Sequence, residues 1–318
     1  TPIYCNNIEC EIDKGLYVKI SEINELRRNI ISLLLQKRND KKPLNCNDNE
    51  IQIIKNKILK PTTYKASSPL QIRARFETTD IPYIFKNAQM VYVPINSKIS
   101  ELKRLMNMGM NIALEIPRLI FFNEDKIINL LKAAKDIGIN DVLASNLGAI
   151  ELAKKLDMNI HGGFGLNITN TASLDFFEKQ GLCDAELSIE MKLSQISKLG
   201  SNIKRGIIAY GHIPLMLTRN CPIANSNRGC LNCKGYKFIK DRKNIEFPVK
   251  CFMGYSEILN SVPLYMADKL GDVKGVDFIV LRFSVENSVE SEENFKVFNI
   301  KKASKSSITR GLYYRGVE

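Results

Sequence analysis

From about residue 70 the chain alternates short apolar runs with longer amphipathic ones. The short runs, LQIRARF, QMVYVPI, NIALEIP, DVLAS, NIHGGFG, DAELS, RGIIAYG and DFIVLRFS, are rich in β-branched residues and have strand length. Between them SKISELKRLMNMG, NEDKIINLLKAAKDIG, NLGAIELAKKL, NTASLDFFEKQG and SIEMKLSQISKLG place apolar residues at helical spacing, and most end in Gly, as a helix C-terminus often does. Eight strands alternating with helices predict an α/β fold with a parallel sheet closed as a (β/α)8 barrel; an open doubly wound sheet is the second possibility. Seven of the strands start about 20 to 30 residues apart, whereas the step from the run near Gly206 to that near Asp277 is about 70 residues, far beyond an ordinary connection. A long insertion after strand seven, about residues 212 to 262, is therefore expected, and in such barrels a loop at that end hangs over the mouth where active sites are built. The barrel is expected to be a modified, TIM-like one.

Ahead of the barrel, residues 14 to 20 read as a strand. Residues 21 to 38 read as a helix capped by Ser21, with Glu22 and Glu25 in its first turn and Lys37 and Arg38 in its last. Its apolar face, Ile23, Leu26, Ile30, Leu33 and Leu34, needs something to pack on. This predicts a strand-helix appendage over 1–38, a linker over 39–61 where charge, Asn and Pro mix, and a barrel over 62–318. The chain starts with Thr1 rather than Met, and the appendage is expected to be the end of an upstream domain of the same protein.

Charge adds a second layer. The formal net charge is +12, and it is concentrated: Arg219 to Lys250 holds eight Lys or Arg against Asp241 and Glu246, and Lys296 to Glu318 holds six against one acidic residue. Clustered positive charge is the footprint of a polyanion binder, although basic surfaces also serve solubility. No apolar run approaches the ~20 residues of a membrane span, so no membrane partner and a cytoplasmic location are expected.

Four cysteines, Cys221, Cys230, Cys233 and Cys251, fall in the insertion with the spacing C-x8-C-x2-C-x17-C. In a reducing compartment grouped cysteines more often hold a metal or an iron-sulfur centre than form disulfides, and a two-residue spacer lets both sulfurs reach one ion. Spacing does not separate a [4Fe-4S] cluster from zinc. Cys5, Cys10, Cys46 and Cys183 are scattered and read as free thiols.

Several stretches resemble the collagenase-like peptidase family U32. They are YGHIPLMLTRNCP, the pair Cys230 and Cys233, KDRKNIEFPVKC, ILNSVPLYMADKL, the segment GLNITNTASLDFFEKQGLCDAELSIEM and the ending TRGLYYRGVE, although Leu312 stands where the family often has His. Residues 15 to 38 resemble the close of the extra domain that follows the first barrel of its long members. The resemblance implies a modified (β/α)8 barrel with an extended segment after strand seven, and two kinds of activity. One is a peptidase of unknown catalytic type acting on collagen; the other is hydroxylation of rRNA or tRNA pyrimidines with cysteine-bound iron-sulfur. It also implies ligand roles for the four cysteines and mouth positions for Asn167, Glu190 and Arg219.

The residues themselves leave these roles open. His212 ends strand seven beside the insertion and is placed for proton transfer or ligation, while His161 is more readily a packing residue. HGGFG offers either an anion nest or a tight turn. Glu77, Glu115 and Glu190 with Arg73, Arg75, Arg118 and Arg282 lie at strand ends; they either pair internally or line a cavity for a small carboxylate co-substrate. Glu190, His212 and Arg118 are the candidate catalytic residues, and Asn167, Arg219 and Arg282 the candidate substrate contacts. There is no H-E-x-x-H or G-x-S-x-G, and thiolates bound to one centre are lost as nucleophiles. RNA modification at a basic surface is thus the leading expectation. Tyr236, Phe238, Tyr313 and Tyr314 are candidates for stacking on an extruded base or for the core. A zinc-pinned barrel that binds peptide or RNA without catalysis is the alternative, and a peptidase the third.

Overall fold

The structure is a computed structural model that describes residues 7, 9, 11–40, 47–59, 64–66, 69–121, 124–226, 229–230, 236–304 and 307–317. It divides into two compact units, Thr1–Lys57 and Ile58–Glu318. In the first, helix α1 spans Ile20–Asn39 and buries none of its residues. It begins one residue before Ser21, at an N-cap Lys19 that makes no side-chain capping bond, so Ser21 lies in the first turn and not at the cap. Residues 14–19 run through a turn into extended backbone that joins no strand ladder among the described residues. The stretch read as a linker contains a second helix, α2, Asp48–Leu59. Its start follows ordinary rules, with Asp48 and Glu50 opposing the dipole and the Asn47 side chain accepting the Asn49 amide. High polarity alone concealed it.

The second unit is the barrel. Strands β1 (Gln71–Phe76), β2 (Met90–Pro94), β3 (Ile112–Glu115), β4 (Asp141–Ala144), β5 (Asn159–Gly162), β6 (Leu182–Glu186) and β7 (Lys204–Gly211) run parallel in chain order. After β7 comes the insertion, a four-stranded antiparallel sheet of β8 (Pro214–Thr218), β9 (Tyr236–Lys240), β10 (Glu246–Cys251) and β11 (Ser256–Leu259), in the order β8-β11-β10-β9. The short β12 (Leu264–Tyr265) then returns antiparallel to β7, and β13 (Phe278–Phe283) is the eighth parallel strand, between β7 and β1. Pairing of β6 with β7 closes the ring, which rules out the open doubly wound sheet.

The stem of the insertion is tied at its base. The Asn260 amide donates to the Ile213 carbonyl at 2.8 Å, and His212 Nδ1 meets the Asn260 carbonyl at 2.6 Å.

Helices α3 (Ile99–Asn107), α4 (Glu124–Lys135), α5 (Leu147–Lys154) and α6 (Thr171–Lys179) follow β2 to β5 as the pattern predicts. Asn146 and Asn170 cap α5 and α6 by accepting the third amide of each. Of the helix expected over 188–200 only a turn, α7 (Leu193–Ile196), forms. There the Leu193 amide bonds the Tyr313 carbonyl, and Met191, Leu193, Ile196 and Leu199 are buried at a spacing that the tail dictates. A 3-10 turn, Tyr83–Asn87, takes the place of a helix after β1, and α8 (Ser288–Ile300), with an Asn287/Glu290 capping box, covers that gap. Phe295 of α8 packs on Phe85 at 4.6 Å between ring centroids, and Phe85 on Phe76 at 4.8 Å.

The apolar core lies between strands and helices, not inside the ring. Ala74 and Phe76 of β1 join it, so the alternate residues Arg73 and Arg75 point inward. The interior holds a separate small apolar patch, Met90, Tyr92, Ala113 and Leu143, and the Phe278 ring, beside a set of buried charges.

Two glycines make room for this filling. A Cβ on Gly206 would lie 2.2 Å from the Phe278 ring, and one on Gly211, at φ +120°, would meet the Arg282 carbonyl oxygen at 2.1 Å. The Phe278 ring in turn carries the Arg73 guanidinium 3.6 Å above its centroid. Gly206→Ala must displace that ring, and it is expected to destabilise the barrel by at least about 1–3 kcal/mol in denaturant unfolding. An unchanged midpoint would show that the close approach carries no energy.

Candidate functional site

Two charged layers stack inside the ring. In the lower one Arg73 forms a bidentate pair with Asp184, at 2.8 and 2.7 Å, and donates to the Tyr92 hydroxyl at 2.8 Å. His161 bridges Asp184 at 2.9 Å and Asp141 at 3.0 Å. Burial alone would lower the His161 pKa, but the two carboxylates outweigh it and raise it. Burial likewise opposes ionisation of Asp184, yet hydrogen bonds from His161 and Arg73 hold it down to about 2. Both nitrogens of His161 are thus occupied by carboxylates, which favour its protonated form. This is the packing role its sequence context suggested.

The upper layer sits at the C-terminal ends of the strands, which is the mouth. Arg75 pairs with Glu115 through two hydrogen bonds, one of them 2.6 Å. Arg282, fully buried, donates to the His212 carbonyl at 2.7 Å, to Glu77 at 3.1 Å and to Glu257 at 2.6 Å. Glu257 belongs to β11 and also receives Arg118 at 3.0 Å, so one carboxylate from the insertion ties it to two arginines of the barrel. The Tyr255 hydroxyl accepts the Arg118 amide at 3.2 Å, and the Arg118 guanidinium lies 4.4 Å above the Phe164 ring. Burial pushes Glu77 up to about 7 against the pull of Arg282 and Arg75, and pushes Glu186, whose one carboxylate oxygen accepts the Phe164 amide, up to about 7 against Arg75.

A cavity of about 390 Å³ opens above this layer. Its floor and barrel-side wall are Glu77, Thr78, Pro94, Asn96, Glu115 and Pro117; its roof is Lys250 to Met253 and Tyr255 of the insertion. Phe252 and Tyr255 stack there, with centroids 5.1 Å apart and planes 16° apart. Burial lowers the pKa of Lys250, which the nearby Glu77 only partly offsets.

The structure sorts the sequence candidates. Arg282 and Arg118 stand in the mouth network, and Cys251 lines the cavity. His212 contributes its carbonyl to Arg282 and its ring to the insertion stem. Asn167, in the left-handed region at φ 51°, accepts the Ser188 hydroxyl at 2.5 Å. Glu190 is exposed, donates its backbone amide to the Ser188 hydroxyl, and is not among the residues lining the cavity. Arg219 is exposed too, with its guanidinium 5.0 Å from the Phe121 centroid. Tyr313 is core, donating to the Ile208 carbonyl, and Tyr314 donates to Asp272. Phe238 is exposed.

Cys221 and Cys230 are free thiols, the Cys251 thiol donates to the Phe252 carbonyl at 3.8 Å, and Cys233 lies outside the described residues. Among the described residues no three ligating side chains come together to hold a metal ion. Cross-strand register does put Cys251 opposite Ser256. Burial works against ionisation of Cys221, but the Ser256 side chain and the amides of Ala224 and Ile223 outweigh it and lower its pKa.

Sequence reading passed over Lys250, Tyr255, Glu257, Glu186 and Asp184. The last three had a signal: each is an acidic residue in a strand-forming run, where a charge persists only if it is paired or neutral.

A carboxyl whose folded pKa is raised contributes stability below its unfolded pKa, near 4.5, and loses it as pH climbs through the folded value, about 7 here for Glu186. Glu186→Gln imitates the protonated form and keeps an oxygen for the Phe164 amide. The variant is expected to match the wild type at pH 5 and to exceed it by about 1–3 kcal/mol at pH 8 in chemical denaturation. Equal stability at both pH values would place the Glu186 pKa in the ordinary range.

The profile of Peptidase family U32 matches residues 95–273. An uncharacterized protease of Methanocaldococcus jannaschii is 21% identical over 210 residues, 61% of this chain and 50% of that protein, so the chain spans about half the length of that curated relative. Among solved structures, a U32 peptidase superposes with TM-score 0.43 at 10% identity, covering 71% of this chain and 98% of its own. The multi-modular cell-surface chitinase ChiW of Paenibacillus does so with TM-score 0.33 at 9% identity, covering 74% and 43%. The profile match extends over more than half of the sequence, from the mouth end of β2 through the cysteine-bearing insertion, and this chain belongs to Peptidase family U32.

Proposed function

We propose that this chain is the barrel of an RNA-modifying enzyme that hydroxylates a pyrimidine base of ribosomal or transfer RNA. The observation that carries the reading is the roofed cavity at the mouth. At about 390 Å³ it lies at the small end of ligand sites, which run from about 300 to 1,000 Å³. That volume suits one extruded base, or a base with a small carboxylate co-substrate, and not a length of collagen or other peptide, which needs an open groove. The stacked rings of Phe252 and Tyr255 supply an aromatic wall. Glu77, poised at about 7, exchanges a proton near neutral pH, and Lys250 places a cation beside it. Such an enzyme would work in the cytoplasm; no described helix is long and apolar enough to cross a membrane.

The peptidase reading has less to rest on among the described residues. Both nitrogens of His161 are engaged by carboxylates, and His212, held through Nδ1 by the Asn260 carbonyl, is not among the residues lining the cavity. Cys221, Cys230, Cys233 and Cys251 would hold a [4Fe-4S] cluster or a zinc ion. A cluster would supply one-electron chemistry, and zinc would pin the insertion. Hydroxylation replaces a ring C–H by C–OH; with dioxygen as the external oxidant, one oxygen atom would enter the base and the other would leave as water, taking two protons and two electrons from an external reductant. What the chain's own residues do is narrower: they enclose the base, exclude water and manage the proton at Glu77.

Two experiments test this. In cells lacking the gene, nucleoside mass spectrometry is expected to show one pyrimidine deprived of an oxygen atom. Wild-type protein is expected to restore it, while Glu77→Gln, which keeps an acceptor for Arg282, and Lys250→Ala restore it at least about tenfold less well. Full restoration by both variants, or an intact nucleoside in the deletion strain, would remove the basis for the proposal. Separately, anaerobically purified protein is expected to carry about four irons per chain if the centre is a cluster, or about one zinc if it is structural. That metal should be lost in Cys230→Ala and in Cys251→Ala; metal-free wild-type protein would show that the thiols hold no centre.

A further inference from the structure

The hairpin of β9 and β10 offers a surface that the mouth does not explain. Residues paired across an antiparallel ladder point to the same side of the sheet. In this register Lys250 lies opposite Glu257 on one neighbour and Tyr236 on the other, and Pro248 and Glu246 lie opposite Phe238 and Lys240. Glu257 and Lys250 fix which way that side faces, because the first is hydrogen-bonded to Arg118 and Arg282 in the mouth and the second lines the cavity. From the cavity, then, the same face of the sheet continues outward through Phe238 to Lys240. Each two-residue step advances about 7 Å, within the reach of one nucleotide in an extended strand.

The outer part is exposed and basic. Phe238 is 43% exposed, an uncommon place for a large aromatic side chain, and Lys240, Arg242 and Lys243 are exposed beyond it, whereas Lys237, opposite Val249, turns to the other side of the sheet. The two acidic residues of the hairpin are engaged locally. Glu246 pairs with Lys240 at 3.1 Å, and Asp241 accepts the amides of Lys243 and Ile245 at 2.8 and 2.9 Å. With Asn244 in the left-handed region at φ 61°, those bonds hold the tip in one shape, so Arg242 and Lys243 are presented without further ordering.

We propose that this hairpin is a rail for the single-stranded RNA next to the modified base, with Phe238 stacking on a flanking base and Arg242 and Lys243 at the tip holding phosphates. The inference rests on the RNA-modification reading. Positive charge around an aromatic side chain is how single strands are gripped without base readout, whereas an acidic peptide would use the charges and not the ring.

The test is fluorescence anisotropy of the whole chain with a labelled single-stranded RNA oligonucleotide, over a range of salt concentrations. Phe238→Ala is expected to weaken binding about 5- to 100-fold with the salt slope unchanged. Arg242→Ala with Lys243→Ala is expected to weaken it and to reduce the slope of log K against log salt by about 1.4, or about 0.7 for each phosphate no longer held. All the side chains changed are exposed, and thermal melting should be the same for each variant. Unchanged affinity in both variants would overturn the rail, as would equal binding of an RNA duplex or of polyglutamate. Loss of binding in the variants, without any missing nucleoside in the deletion strain, would uphold the rail and discard hydroxylation. A nucleoside lost on deletion, with hairpin variants that bind normally, would do the reverse.

Discussion

The ion pair of Arg73 with Asp184 is the constraint around which the barrel is organised. A ring of eight parallel strands is ordinarily filled by layers of branched apolar side chains, and here much of that space is taken by charge. Burying a guanidinium and a carboxylate is unfavourable unless each is saturated with partners, and these are: Tyr92 on one side, His161 and through it Asp141 on the other. The Phe278 ring beneath the guanidinium, seated in the space left by Gly206, completes the enclosure. Such a network tolerates little change of shape, because any partner removed leaves an unpaired charge in the interior.

The mouth follows the same logic with a different outcome. Arg75, Arg118, Arg282 and Lys250 meet Glu77, Glu115, Glu186 and Glu257, four charges of each sign in a space largely closed to water. Full ionisation of all the carboxyls is unfavourable there, and Glu77 and Glu186 are the two that hold protons up to about neutral pH. One of the fixed anions, Glu257, comes from the insertion and not from the ring. The roof is thereby attached by a charge that the arginines beneath it require.

Much of this architecture was legible in the sequence, because strand runs and amphipathic helices have distinct periods. All eight barrel strands overlap the runs that marked them, with β6 and β7 starting two residues and one residue earlier, and the unusual 70-residue step located the insertion. Three things were hidden. The helix α2 lies in a stretch whose polarity resembles a linker, the expected helix at 188–200 was cut short by contact with the C-terminal tail, and the insertion's antiparallel sheet is built from strands interrupted by charged turns. At the site, Arg282 and Arg118 were legible because arginines at strand ends must go somewhere polar, whereas Cys251, marked by its spacing as a ligand, is found lining the cavity. Glu190 and Arg219 carried the same kind of signal and are exposed, since sequence gives the end of a strand but not which side chains turn inward beyond it. Partners that meet only through the insertion, such as Glu257 with Arg118, have a sequence separation of 139 residues and no local trace.

The knot of hydrogen bonds at the foot of the insertion, between His212, Ile213 and Asn260, bears on how this protein can vary. Because the two ends of a 48-residue excursion are fastened side by side, the ring below is insulated from changes in the outer part of the excursion, provided Glu257 remains to meet Arg118 and Arg282. The outer hairpin of β9 and β10 is thus the part that can change in length or content while the scaffold is retained, and new recognition properties would be acquired there first.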